Sequence, residues 1–164
     1  MSNKLESISV EGVNLPNKAL TNFELLDAVK KLNVSKFRGI YMRNDLPRRP
    51  FKSESGILNL DGVSGRGTHW VCWYKKPETS RNLSERSSGE SRRLSPGFLS
   101  DTYFFDSFGV QPPNELMEYI SSPIYYSTER IQPDGEVVCG HLCLYMLCRL
   151  SRGDKFQKII NDLH

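Results

Sequence analysis

The chain has 164 residues, 38% of them hydrophobic and 25% charged, with a formal net charge of +3. That composition excludes a disordered chain, and the length suits a single domain, residues 1–164, with a core of its own. The mild basic balance permits contact with a polyanion without requiring one.

No positively charged segment followed by an apolar stretch opens the sequence, so no signal peptide is expected and the setting is intracellular. No apolar run approaches the ~20 residues of a membrane span. Without a secretory route, the four cysteines at 72, 139, 143 and 148 are expected as free thiols.

The first element expected is a helix beginning at Thr21. Thr21-Asn22-Phe23-Glu24 has the form of a capping box, and Phe23, Leu26, Val29 and Leu32 recur at helical spacing up to about Asn33. Phe37 to Arg43 reads as a strand, stopped by Asn44-Asp45-Leu46-Pro47 and followed by a polar loop to Gly56. Gly56 to Leu60 is a second short strand, and Asp61 to Gly67 a Gly/Ser turn. His69 to Lys75, apolar or aromatic on both faces, is the strongest strand and is expected to be covered on both sides.

Residues 76 to 101 hold seven serines and four arginines and almost nothing to bury, which predicts a mobile polar insertion in a hairpin. Thr102 to Asp106 returns as a strand. Pro112-Pro113 opens a helix over Asn114 to Ile120, since proline suits a first helical turn. Ser121 to Gly135 is loop, with a short strand around Thr128 to Ile131.

From Cys139 the apolar residues Leu142, Cys143, Met146, Leu147 and Leu150 share one helical face. Leu144 and Tyr145 make the far side apolar too. This predicts a central buried helix from Cys139 to about Ser151, with Cys139 at its N-terminus. There a thiol meets unpaired N–H groups and the positive end of the helix dipole, both of which favour thiolate. A small buried cysteine fits the same position, and Cys72, Cys143 and Cys148 fit that simpler role.

Cys139, His141 and Cys143 lie close in sequence, but residues two apart on a helix point to different faces, and no paired CxxC occurs. No metal site and no cofactor is expected. A thiol nucleophile needs a base and a group to orient it. His141 should project elsewhere and His164 is the last residue, which leaves His69. If the strands of His69 and Thr102–Asp106 are antiparallel neighbours, His69 comes opposite or close to Asp106, whose carboxylate could hold the ring. Oxyanion donors could be the Cys139 N–H and the amide of Gln132, seven residues upstream.

Gly67-Thr68-His69-Trp70, Phe105-Asp106-Ser107-Phe108-Gly109, Gln132 and Cys139-Gly140, in that order, resemble the adenovirus-type (adenain-like) cysteine proteases. These share a clan with the SUMO and other ubiquitin-like-protein proteases. The phrases FRGIYMRNDLP, GILNLDG, GTHWVCWYK, YFFDSFG and CGHLCLYML look most like the protease of Polinton (Maverick) elements, over about residues 20 to 150.

The resemblance implies an α+β fold in which a central helix bearing the nucleophile packs on a mixed, mainly antiparallel sheet. It implies catalytic roles for His69, Asp106, Gln132 and Cys139, with Trp70 and Gly140 at the substrate channel. The implied activity is a cysteine endopeptidase that cleaves after glycine in precursor capsid proteins, as a monomer in the host nucleus or cytoplasm or in the virion. A peptide or nucleic-acid activator belongs to that resemblance. No cysteine lies between Asp106 and Cys139 to link such a peptide, whereas the insertion's arginines would suit phosphates. Two other functions stand beside it: a ubiquitin- or SUMO-removing isopeptidase with the same site, and a catalytically idle capsid- or protein-binding domain.

Overall fold

The computed structural model of the chain describes residues 7–61, 69–76 and 101–164. The expected Gly/Ser turn, Gly67 and Thr68 of the histidine motif, and all but the ends of the 76–101 insertion lie outside them. The described chain opens on a hairpin not expected from the sequence, β1 (Ser7–Val10) and β2 (Val13–Pro16). Glu11 and Gly12 both have positive φ, as a tight hairpin turn with the twist of its strands requires. Val10 and Leu15 are buried in the larger core.

Helix α1 (Asn22–Lys31) starts with the predicted capping box: the Glu24 N–H donates to Thr21 Oγ1 at 3.2 Å and the Thr21 N–H to Glu24 Oε1 at 3.1 Å. Its buried stripe differs from the expected one. Leu25, Ala28, Val29 and Leu32 face the core, while Phe23 is 78% exposed and Leu26 39%. Both sets have helical spacing, and packing against the rest of the fold selects the one that includes the small Ala28.

The sheet runs in the order β3 (Phe37–Met42), β4 (Glu54–Asn59), β5 (Trp70–Lys75), β6 (Thr102–Phe105) and β7 (Ile124–Tyr126). The central pairs β4–β5 and β5–β6 are antiparallel; the flanking pairs β3–β4 and β6–β7 are parallel. Strand β4 begins two residues before the expected Gly56, at a fully buried Glu54. Its carboxylate accepts from Tyr119 at 2.8 and 3.0 Å, from the Phe51 N–H at 2.8 Å and from Arg38 at 3.3 Å, which satisfies a charge that would otherwise exclude the residue from a core strand. The short strand of the 121–135 region is β7, at Ile124–Tyr126, and not at 128–131. It pairs Ile124 with Thr102 along the free edge of β6.

Alternation along the strands builds a core on each face. Ile57, Cys72 and Phe105 face the larger core, with α1, the hairpin, the central helix α3 (Cys139–Ser151) and a C-terminal helix α4 (Phe156–Asp162) that the sequence reading did not identify. Leu58, Val71, Trp73 and Phe104 face the smaller one, closed by α2 (Asn114–Ile120). β5 is therefore covered on both sides, as its composition predicted. Helix α3 has the expected limits and is buried almost all round. All four cysteines are free thiols. Among the described residues, no helix is long and apolar enough to cross a membrane.

Gly56 lies directly opposite Trp73, and its missing side chain makes room for the indole. A Cβ there would stand 2.2 Å from the fully buried Trp73 ring. Gly56→Ala is therefore expected to destabilise the fold by about 3 kcal/mol, lowering Tm by about 10 °C. A thermal melt that moves by less than a degree would mean the indole has another place to go.

Candidate active site

Cys139 begins α3 with no side-chain cap ahead of it, so the first N–H groups of the helix stay open toward the thiol. The His69 side chain and the Trp70 and Gly140 backbones lie close enough to its sulfur to act on its charge. Burial alone would push this thiol up, but these neighbours and the His69 charge outweigh it and hold the pKa below that of an ordinary cysteine.

His69 immediately precedes β5. Its Nε2 bonds Asp106 Oδ1 at 2.8 Å, and the ring also bonds Cys139. Burial pulls the imidazolium down, yet the Asp106 and Cys139 bonds and charges overcome it and raise the pKa to about 9. A lowered thiol beside a raised imidazole means that each group favours the charged form of the other, so the pair leans toward thiolate and imidazolium.

Asp106 is held by its own turn. Oδ1 also accepts from the Phe108 N–H at 2.8 Å, and the Gly109 N–H donates to the Asp106 carbonyl at 2.9 Å. Gly109 has φ +73°, and a Cβ there would meet the Thr128 carbonyl at 2.5 Å, so the turn closes only on glycine. The sheet register pairs Cys72 with Phe105, so the rung after it sets Asp106 beside Val71. His69 reaches the carboxylate diagonally from the strand's beginning, not from a facing position.

Gln132 is 3% exposed. Its Oε1 accepts from the fully buried Ser107 hydroxyl at 2.7 Å, and its Nε2 donates to the Glu136 carbonyl. The Ile131 and Gln132 N–H groups both donate to the Ser107 carbonyl at 2.9 Å. The loop that leads into α3 is thus anchored to the turn that carries Asp106.

Trp70 donates its indole N–H to the Leu20 carbonyl at 2.9 Å and packs on Gly140, which is buried among Leu20, Leu25 and Trp70. His141 turns away from the thiol, and its Nε2 bonds the Pro16 carbonyl at 2.9 Å. The structure thus joins His69, Asp106 and Cys139 directly, and it brings Gln132 to the turn of Asp106.

Three neighbours escaped the sequence reading although they stand in or beside its motifs. Ser107 is one. Phe108 is stacked on the His69 ring with centroids 4.8 Å apart, and the Arg130 guanidinium lies 5.0 Å from the Phe108 centroid. Arg130 also donates to the Gln132 carbonyl at 3.1 Å. Only the adjacency of Ser107 and Phe108 to Asp106 could have flagged them.

No protein-family model matches the chain, and no curated protein does. Among solved structures, the fold is similar to that of the ASFV pS273R protease, with a TM-score of 0.52 and 16% identity. The similarity covers 88% of this chain but 61% of that one, so the chain spans less than two thirds of that protein's length. At this identity the likeness establishes the α+β fold, a mixed sheet packed by a central helix.

Proposed function

We propose that the protein is a thiol-dependent peptide hydrolase, an adenovirus-type cysteine endopeptidase closest to the Polinton kind, acting after glycine in precursor capsid proteins. The observation that carries this is the continuous contact from Asp106 through His69 to a Cys139 thiol of lowered pKa at a helix N-terminus. The fold likeness to a solved protease supports it.

In this mechanism the Cys139 thiolate attacks the glycyl carbonyl carbon, and the carbonyl π electrons move to oxygen. The oxyanion is received by the Cys139 N–H and the Gln132 amide. The imidazolium of His69 gives its proton to the departing amine as the C–N bond breaks, leaving a thioester. Neutral His69 then takes a proton from water, whose oxygen attacks the thioester, and thiolate leaves. Asp106 keeps the imidazole in place throughout. On this reading Trp70 flanks the channel that admits glycine and excludes side chains, and Gly140, buried beneath it, lets the indole pack close to the start of α3.

A peptide carrying a glycyl vinyl sulfone is expected to alkylate Cys139 and none of Cys72, Cys143 and Cys148, read residue by residue by mass spectrometry. Equal labelling of the four thiols, or none at Cys139, would remove the mechanism's starting point. A probe on an intact ubiquitin-like protein reacting far faster than any short peptide would move the substrate to the isopeptidase class.

A further inference from the structure

We infer that the Ser107 hydroxyl is a positioning group for the oxyanion donor, so that the dipeptide Asp106-Ser107 orients both the base and the hole. This rests on the role proposed above for Gln132.

A primary amide presents an oxygen and an NH₂ group of nearly equal shape, so its orientation must be set by its partners. Two partners set this one. The Glu136 carbonyl can only accept, which turns Nε2 toward it; the Ser107 hydroxyl then donates to Oε1 at 2.7 Å. The two anchors differ in rigidity. Glu136 belongs to the exposed stretch 133–137, which includes the positive-φ Gly135. Ser107 is fully buried, and its carbonyl also takes the Ile131 and Gln132 N–H groups at 2.9 Å each.

Ser107 therefore fixes the amide plane from the sheet side. Donation to Oε1 also polarises the amide, which strengthens the remaining N–H as a donor to developing negative charge. The neighbouring Asp106 carboxylate holds His69 from the same turn. One rigid turn thus spaces the proton donor and the oxyanion donor relative to each other.

The test compares Ser107→Ala, Gln132→Ala and the double variant with wild type on a glycine-containing peptide. Ser107→Ala is expected to lower kcat about 10-fold with KM unchanged, the size of one lost hydrogen bond acting in the transition state. Its affinity for a peptide aldehyde, whose adduct places an oxygen in the hole, should fall by a similar factor. The pH profile of Cys139 alkylation by iodoacetamide should stay as in wild type, because the His69–Asp106 pair is untouched. In the Gln132→Ala background, removing Ser107's hydroxyl should cost nothing further.

A full-rate Ser107→Ala enzyme, an equal loss in the Gln132→Ala background, or a displaced alkylation profile would each overturn the inference. If Ser107→Ala is too unstable to assay, Ser107→Thr, which keeps the hydroxyl, decides: kcat near wild type is expected, and kcat as low as that of Gln132→Ala overturns it. Wild-type protein that fails to hydrolyse any such peptide contradicts the protease function itself, whereas an active wild type with an unaffected Ser107→Ala variant contradicts this inference alone.

Discussion

His69→Ala is expected to slow hydrolysis of a glycine-containing peptide by about 10⁴-fold, roughly 5 kcal/mol of transition-state stabilisation. The loss exceeds that of a simple base because His69 has two duties. In the proposed mechanism it supplies the proton for the leaving amine, and its hydrogen bond and charge lower the Cys139 pKa. Without it, burial is the largest influence left on the thiol, and it pushes the pKa up. Cys139 alkylation by iodoacetamide below pH 7 should then fall to the level of the other three cysteines. A variant that keeps its Tm, loses hydrolysis and still alkylates fast at pH 6 would show that the helix N-terminus alone makes the thiolate.

Asp106→Asn separates holding the ring from being the ring. The carboxylate is the main support that carries His69 up to about 9 against the downward pull of burial. With an amide in its place, burial prevails and the histidine pKa falls. The imidazolium is then lost at a lower pH, and the thiolate loses its counter-ion. The alkylation midpoint of Cys139 should therefore rise toward the ordinary thiol range of about 8.5. Hydrolysis at pH 7 should fall by about 10³-fold. Wild type and variant should differ most in alkylation near pH 6 and converge above about pH 9, where wild-type His69 also gives up its proton. An unshifted alkylation profile would mean that the contact at 2.8 Å orients the ring without charging it.

Elements fixed by local signals were legible in the sequence. α1 announces itself by its capping box, α2 by its leading prolines, and α3 by an apolar pattern that begins at the thiol. Elements fixed by distant partners were not. Glu54 reads as a loop residue until Arg38 and Tyr119 close on its carboxylate. β7 is a three-residue edge strand held by its pairing with β6 and by Ile124 packing on the smaller core. The hairpin did leave a trace, Ile8, Val10, Val13 and Leu15 around Glu11-Gly12, but a four-residue strand is a weak periodic signal. α4 shows only Phe156, Ile159 and Ile160 on its buried side.

The candidate site divides in the same way. Residue types and order pointed to Cys139, His69, Asp106 and Gln132. The diagonal approach of His69 and the anchoring of Gln132 by Ser107 depend on a register and a turn that one-dimensional spacing does not encode.

The ends of β5 and β6, where His69 and Asp106 sit, precede the helix that carries Cys139. A ribosome therefore makes Asp106 about 2–7 seconds, and His69 about 4–14 seconds, before the thiol, at about 5–20 residues per second. During that interval the sheet face of Ile57, Cys72 and Phe105 waits for α3 to cover it. On the proposed mechanism the nascent chain has no hydrolytic activity throughout, because Cys139 is not yet made. When α3 docks, one event closes the larger core and brings sulfur to imidazole. If the proposed hydrolase activity holds, folding itself is its safety catch, and a chain that fails to bury α3 is misfolded without being a rogue hydrolase.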